Sequence, residues 1–152
     1  MNAVAIALHI VAAVVWVGGL FFAYVVLRPS SNSLEPPQRL ALWAGVFKRF
    51  FPWVWMAIVI LMISGYWLIF NWFKGFANVP GYVHVMHLIG WLMTLLFIYL
   101  YYKIYPSFVA SVKSESWSDA GAAMNRIRQI VLINLILGML LLVSVGAMQR
   151  LS

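Results

Sequence analysis

Three imidazoles, His9, His84 and His87, stand inside apolar stretches of a chain that has no cysteine and only three acidic residues in 152. A neutral imidazole nitrogen is a good ligand for iron, copper and zinc. With so few other ligand side chains present, a metal or redox centre here must rest mainly on these rings. His84 and His87 are spaced i, i+3, so on a helix they share one face. Ionisable groups in hydrocarbon are costly, and a convergent set is a functional-site hypothesis by default. The three acids, Glu35, Glu115 and Asp119, belong to connecting segments. No acid pair and no Ser/His/Asp set is therefore placed for hydrolysis.

The elements that must position these rings follow from composition. With 65% hydrophobic and 9% charged residues and a mean hydropathy of +0.97, the chain lies far outside the balance of a soluble domain. Four stretches, about 3–27, 52–72, 81–105 and 130–148, are long enough to cross a hydrocarbon core of ~30 Å at ~1.5 Å per residue. The expected fold is an all-α, integral membrane four-helix bundle, one domain over residues 1–152. The first stretch has no basic segment before it and no small-residue cleavage site, so it is expected to be a retained helix.

Basic residues then orient the bundle, because Lys and Arg near helix ends prefer the cytoplasm. Arg28, Arg39, Lys48 and Arg49 lie between the first two stretches, and Lys103, Lys113, Arg126 and Arg128 between the last two, against Lys74 and Arg150 on the other side. This bias predicts both termini on the periplasmic side of a bacterial inner membrane. The net charge of +7 reads as that topology signal plus attraction to anionic lipid, with the bilayer and no nucleic acid as partner.

In this orientation His9 and His87 each lie about six residues below the start of their helix, ~9 Å into the outer half. Two matched imidazoles on different helices suit a b-type haem, whose iron takes an axial ligand on each face. His9 and His87 are the expected axial pair. His84 stands beside the haem or its propionates, as the alternative to His87. Arg150 and Lys74 are on the same side and could pair with propionates; interfacial anchoring explains Lys74 better. Such a centre would transfer single electrons, with a quinol or a periplasmic partner at the haem edge. Simple electron carriage and a haem-dependent oxidoreductase would use the same residues, so both stay open.

Copper is the alternative. His9, His84 and His87 could form a three-histidine copper or zinc site, and thioethers suit Cu(I). Met62, Met86, Met93, Met139 and Met148 lie in the helices, with no Met-x-x-Met or Met-x-x-x-Met pair. Apart from Asn134 and Thr94 the inner half is nearly all apolar, which weighs against transport through a single chain.

The remaining features have plain structural readings. Gly65, Gly90 and Gly138 favour close helix packing over room for a macrocycle; exposed glycine faces would also suit a homodimer. Asn134, Ser64, Thr94 and Ser144 read as helix–helix hydrogen-bonding residues. Aromatic residues near helix ends read as interfacial belts, and Trp16 and Trp91 as packing residues. Residues 38–51 carry Leu40, Trp43, Val46, Phe47 and Phe50 among basic residues, the pattern of an amphipathic helix on the inner leaflet. Ser118 is a candidate cap for a short extension of the last helix.

The segment Leu8-His9-Ile10-Val11-Ala12-Ala13-Val14-Val15-Trp16-Val17-Gly18-Gly19-Leu20, with Leu27-Arg28-Pro29 after it, resembles the opening of copper resistance protein D (CopD)-like membrane proteins. A similar His, Trp, Gly-Leu order opens HemJ-type protoporphyrinogen oxidases. Tyr82-Val83-His84-Val85-Met86-His87-Leu88-Ile89-Gly90 and the four-helix plan extend the CopD likeness. The resemblance implies either copper uptake across the inner membrane or haem b binding with oxidation of a porphyrinogen, and it places the family's helix-1 histidine on His9. The longer copper proteins have more helices than this chain. A pair of imidazoles in an apolar slot without an anionic ligand suits low-spin haem better than the movement of a hydrated cation.

Overall fold

A computed structural model describes residues 1–148 as four long helical units: Asn2–Ser33 (α1), Pro36–Asn71 (α2), Gly81–Lys113 (α3) and Trp117–Met148 (α4). Each is long and apolar enough to cross a membrane, and the described residues contain no strand. The all-α membrane bundle expected from composition is what the chain forms. Arg150 lies outside the described residues.

The helices run well past the apolar stretches. At ~1.5 Å per residue the 36 residues of α2 span ~54 Å, far beyond a ~30 Å core. Residues 38–51 are therefore not a separate helix on a leaflet: they are the first turns of α2, which continues through Pro52. Their apolar stripe faces protein, with Leu40, Trp43 and Phe47 buried. Likewise α4 begins at Trp117, just after Ser116, whose hydroxyl donates to Asp119 Oδ2 at 2.8 Å. That local bond sits two residues before the expected cap at Ser118.

Two π-helical turns, Phe22–Leu27 in α1 and Leu100–Ile104 in α3, each end two residues before a proline, Pro29 and Pro106. A proline has no N–H for the preceding turn and its ring crowds the carbonyl four residues back. A locally widened turn relieves both problems without ending the helix.

α1 packs along α2, α3 along α4, and α1 also against α4. In lipid, helix association rests on close packing more than on the hydrophobic effect. Gly138 of α4 shows this: a Cβ there would lie 2.8 Å from Val17 and 3.3 Å from Met93. Beside it, Asn134 Nδ2 donates to the Met93 carbonyl at 3.3 Å, tying α4 to α3 across a buried position.

Aromatic rings fill the end of the bundle that carries most of the basic residues. Phe47 and Phe51 stack at 5.0 Å, Phe51 meets Tyr105 edge-on at 4.9 Å, and Trp55 meets Phe97 and Tyr101 at 5.3 and 5.5 Å. Part of the expected interfacial belt is thus interior packing of α2 on α3, whereas Trp53, Trp72, Tyr99 and Tyr102 remain exposed. Thr94 and Ser144 bond carbonyls of their own helices, Gly90 and Leu141, so they do not join helices.

Candidate functional site

The three histidines lie at the opposite end from this aromatic packing. His9, half-buried on α1, reaches α2, where its Nδ1 is 2.8 Å from Ser64 Oγ. Ser64 Oγ–H itself donates to the Ile60 carbonyl at 2.6 Å. The serine oxygen is then the acceptor of His9 Nδ1–H, and the neutral ring keeps its free lone pair on Nε2. A histidine that ligates a metal is oriented in this way, by donating its other N–H to a fixed oxygen. Gly65 supplies the seat: a Cβ there would come within 3.3 Å of His9 Cε1.

His87, half-buried on α3, leans on the next residue of α2. Tyr66 Oη lies 3.4 Å from His87 Nε2, and Trp91 Nε1–H donates to Tyr66 Oη at 3.3 Å. With Trp91 as donor, the phenol proton is free to point at His87 Nε2. The His87 ring is enclosed edge-on by Tyr66 at 5.3 Å, Phe76 at 5.4 Å and Trp91 at 6.4 Å. His84, one turn nearer the end of the helix, is exposed and stacks on Phe76 at 6.5 Å. Phe76 stands in the short turn Phe76–Asn78 between α2 and α3. Within that connection Lys74 and Gly75 take φ 63° and 120°, of which the second is a value that glycine adopts without strain.

His9 and His87 therefore meet three consecutive residues of α2, Ser64, Gly65 and Tyr66, and share one level of the bundle. They do not close on one another with His84: among the described residues no group of three or more His, Cys, Asp or Glu side chains is close enough to hold a metal ion. The three glycines expected to serve close helix packing divide. Gly65 is covered by His9 and Gly138 by Val17 and Met93, while Gly90 has nothing within 4 Å of a Cβ. Lys74 is exposed in the turn. The histidines are legible in the sequence, whereas Tyr66 and Phe76 as their neighbours are not, and Ser64 carries there only the signal of a generic helix contact. The available signal was Ser64-Gly65-Tyr66 itself, a polar–small–polar run inside an apolar span.

No curated protein and no solved structure matches the chain. A family model described as Copper resistance protein D matches residues 44–148. The match takes in Ser64, Tyr66, His84 and His87 and begins after His9. It spans well over half of the chain, and the protein belongs to the copper resistance protein D family.

Proposed function

We propose that this protein is a copper-binding component of the membrane, which takes copper as its cargo at the histidine end of the bundle. The observation that carries this reading is the family match over residues 44–148, which includes the i, i+3 pair His84 and His87. The exposed His84 offers the first imidazole a copper ion would meet. His87 follows one turn deeper, where copper replaces the Tyr66 proton at Nε2. His9, with Nε2 left free by the bond to Ser64, is the third imidazole at this level, brought in by movement of side chains. Imidazole nitrogens are suitable ligands for copper.

The rest of the bundle favours capture and hand-over above conduction. Its middle is closed by Trp16, Ala57, Met93 and Phe97, all buried. Asn134 and Thr94 are buried polar side chains there; Asn134 Nδ2 and Thr94 Oγ1 each donate to a backbone carbonyl, and Asn134 Oδ1 is buried with no partner among the described residues. Among the described residues, the middle of a single chain thus offers a cation no open polar path.

A second reading, a b-type haem held by His9 and His87, is favoured by their common level on α2. It asks more of the residues present, because the Gly65 notch already holds the His9 ring and His87 Nε2 already has Tyr66. Competition titration of the purified protein with a Cu(I) chelator separates the two. Copper binding that weakens in His84→Ala, in His87→Ala and in His9→Ala supports the copper reading. Absence of copper binding, together with a Soret band lost in His9→Ala and in His87→Ala, would replace it by haem.

A further inference from the structure

At the end of the bundle away from the histidines, three basic residues are treated differently from the rest. Arg28, Arg39 and Arg128 are half-buried, whereas Lys48, Arg49, Lys74, Lys103, Lys113 and Arg126 are exposed. The topology signal needs only positive charge near helix ends, and exposed side chains provide it. It does not account for three guanidinium groups turned between the helices.

They are turned into two adjoining cavities. One is lined by Arg28 and Arg128 together with Tyr24 and Asn134. The other, of about 240 Å³, is lined by Arg39 and Arg128 with Asn125. Trp43, Met124 and Arg128 border both, so Arg128 stands between them. The second volume is far above the ~10–15 Å³ that one water requires. Arg28 is held in place by the face of Tyr24, with Cζ 4.8 Å from the ring centroid. Arg128 Nη1 donates to Asn125 Oδ1 at 3.3 Å, while its Nε is buried without a partner.

No acidic side chain lines either cavity among the described residues. Glu35, Glu115 and Asp119 are all exposed. Like charges gathered away from bulk water are unfavourable unless an opposite charge joins them. Planar guanidinium forks match tetrahedral phosphate oxygens in pairs.

We propose that Arg28, Arg39 and Arg128 form a binding site for a phosphate group, set between α1, α2 and α4. The aromatic wall made by Tyr24 and Trp43 suits a phosphate that carries an apolar body, as the headgroup of an acidic phospholipid does; free phosphate offers the same oxygens. The site is independent of the copper reading, since it lies at the other end of the bundle and shares no residue with it.

The full chain, purified in an uncharged detergent, is titrated in one arm with a short-chain phosphatidylglycerol. In the other it is titrated with sodium phosphate, against sodium chloride at matched ionic strength. The melting temperature is followed in both, and lipid retention by native mass spectrometry in the first. The expected result is saturable stabilisation, with an apparent Kd weakened roughly tenfold or more in Arg128→Gln and in at least one of Arg28→Gln and Arg39→Gln. Lys48→Gln, an exposed charge at the same end, leaves it unchanged. Stabilisation by lipid alone assigns the headgroup; stabilisation by both assigns the phosphate group from either source. Should Arg128→Gln fail to fold, Arg128→Lys, which keeps the charge without the fork, and Arg39→Gln at the outer cavity carry the same comparison. The proposal is overturned if neither arm stabilises the protein, if the arginine variants bind as wild type does, or if Lys48→Gln weakens binding as much as they do.

Discussion

Ser64 and Tyr66 act in opposite senses on the two imidazoles they touch. Ser64 accepts a hydrogen bond from His9 Nδ1–H and so leaves Nε2 free, whereas Tyr66 occupies the Nε2 of His87. Ser64→Ala is expected to weaken copper binding by about tenfold or more, the usual cost of losing the group that orients a metal-ligating histidine. Tyr66→Phe is expected to strengthen it by a few-fold, because a hydrogen bond of roughly 1 kcal/mol no longer has to be broken first. Chelator competition measures both, and equal changes of the same sign would refute these roles. The histidines themselves were legible in the sequence, since an ionisable residue in an apolar span stands out. Their partners were not, because which residue of α2 meets which ring depends on how far each helix is rotated about its axis. Spacing along one chain segment does not fix that.

Among the helices, contact depends on small residues and on rings fitted together. Gly138→Ala would put a Cβ 2.8 Å from Val17, and overpacking of this kind costs about 1–3 kcal/mol. Phe51→Ala would empty the centre of the aromatic stack against Phe47, Phe97 and Tyr105, at a cost of about 3–5 kcal/mol. Gly90→Ala, with open space around its Cβ, should be close to neutral. Unfolding in mixed detergent micelles, followed by near-UV dichroism, ranks the three; a Gly90 variant as unstable as Gly138→Ala would contradict the packing described. The number of helices was legible from hydropathy, but their ends were not. Hydropathy falls where charges begin, yet α2 and α4 continue beyond that point. The amphipathic stripe over 38–51 was read correctly as apolar on one side. A stripe that faces lipid and one that faces a neighbouring helix look alike in sequence, and here Phe47 and Trp43 face protein.

For the whole molecule, the basic residues divide the bundle into a histidine end and an arginine end, and the positive-inside rule predicts that the arginine end faces the cytoplasm. The absence of cysteine makes this directly measurable. An impermeant maleimide applied to intact spheroplasts should label Lys74→Cys and should reach Lys113→Cys only after permeabilisation; the reverse pattern would invert the topology. The copper reading at the histidine end is tested most directly by the metal content and absorption spectrum of the protein purified from cells supplied with both copper and haem precursor, compared with His84→Ala/His87→Ala. Copper retained in stoichiometric amount by the wild type, lost in the double variant and unaccompanied by a Soret band, is the predicted result. A copper-free protein with a Soret band that disappears in His9→Ala would contradict it.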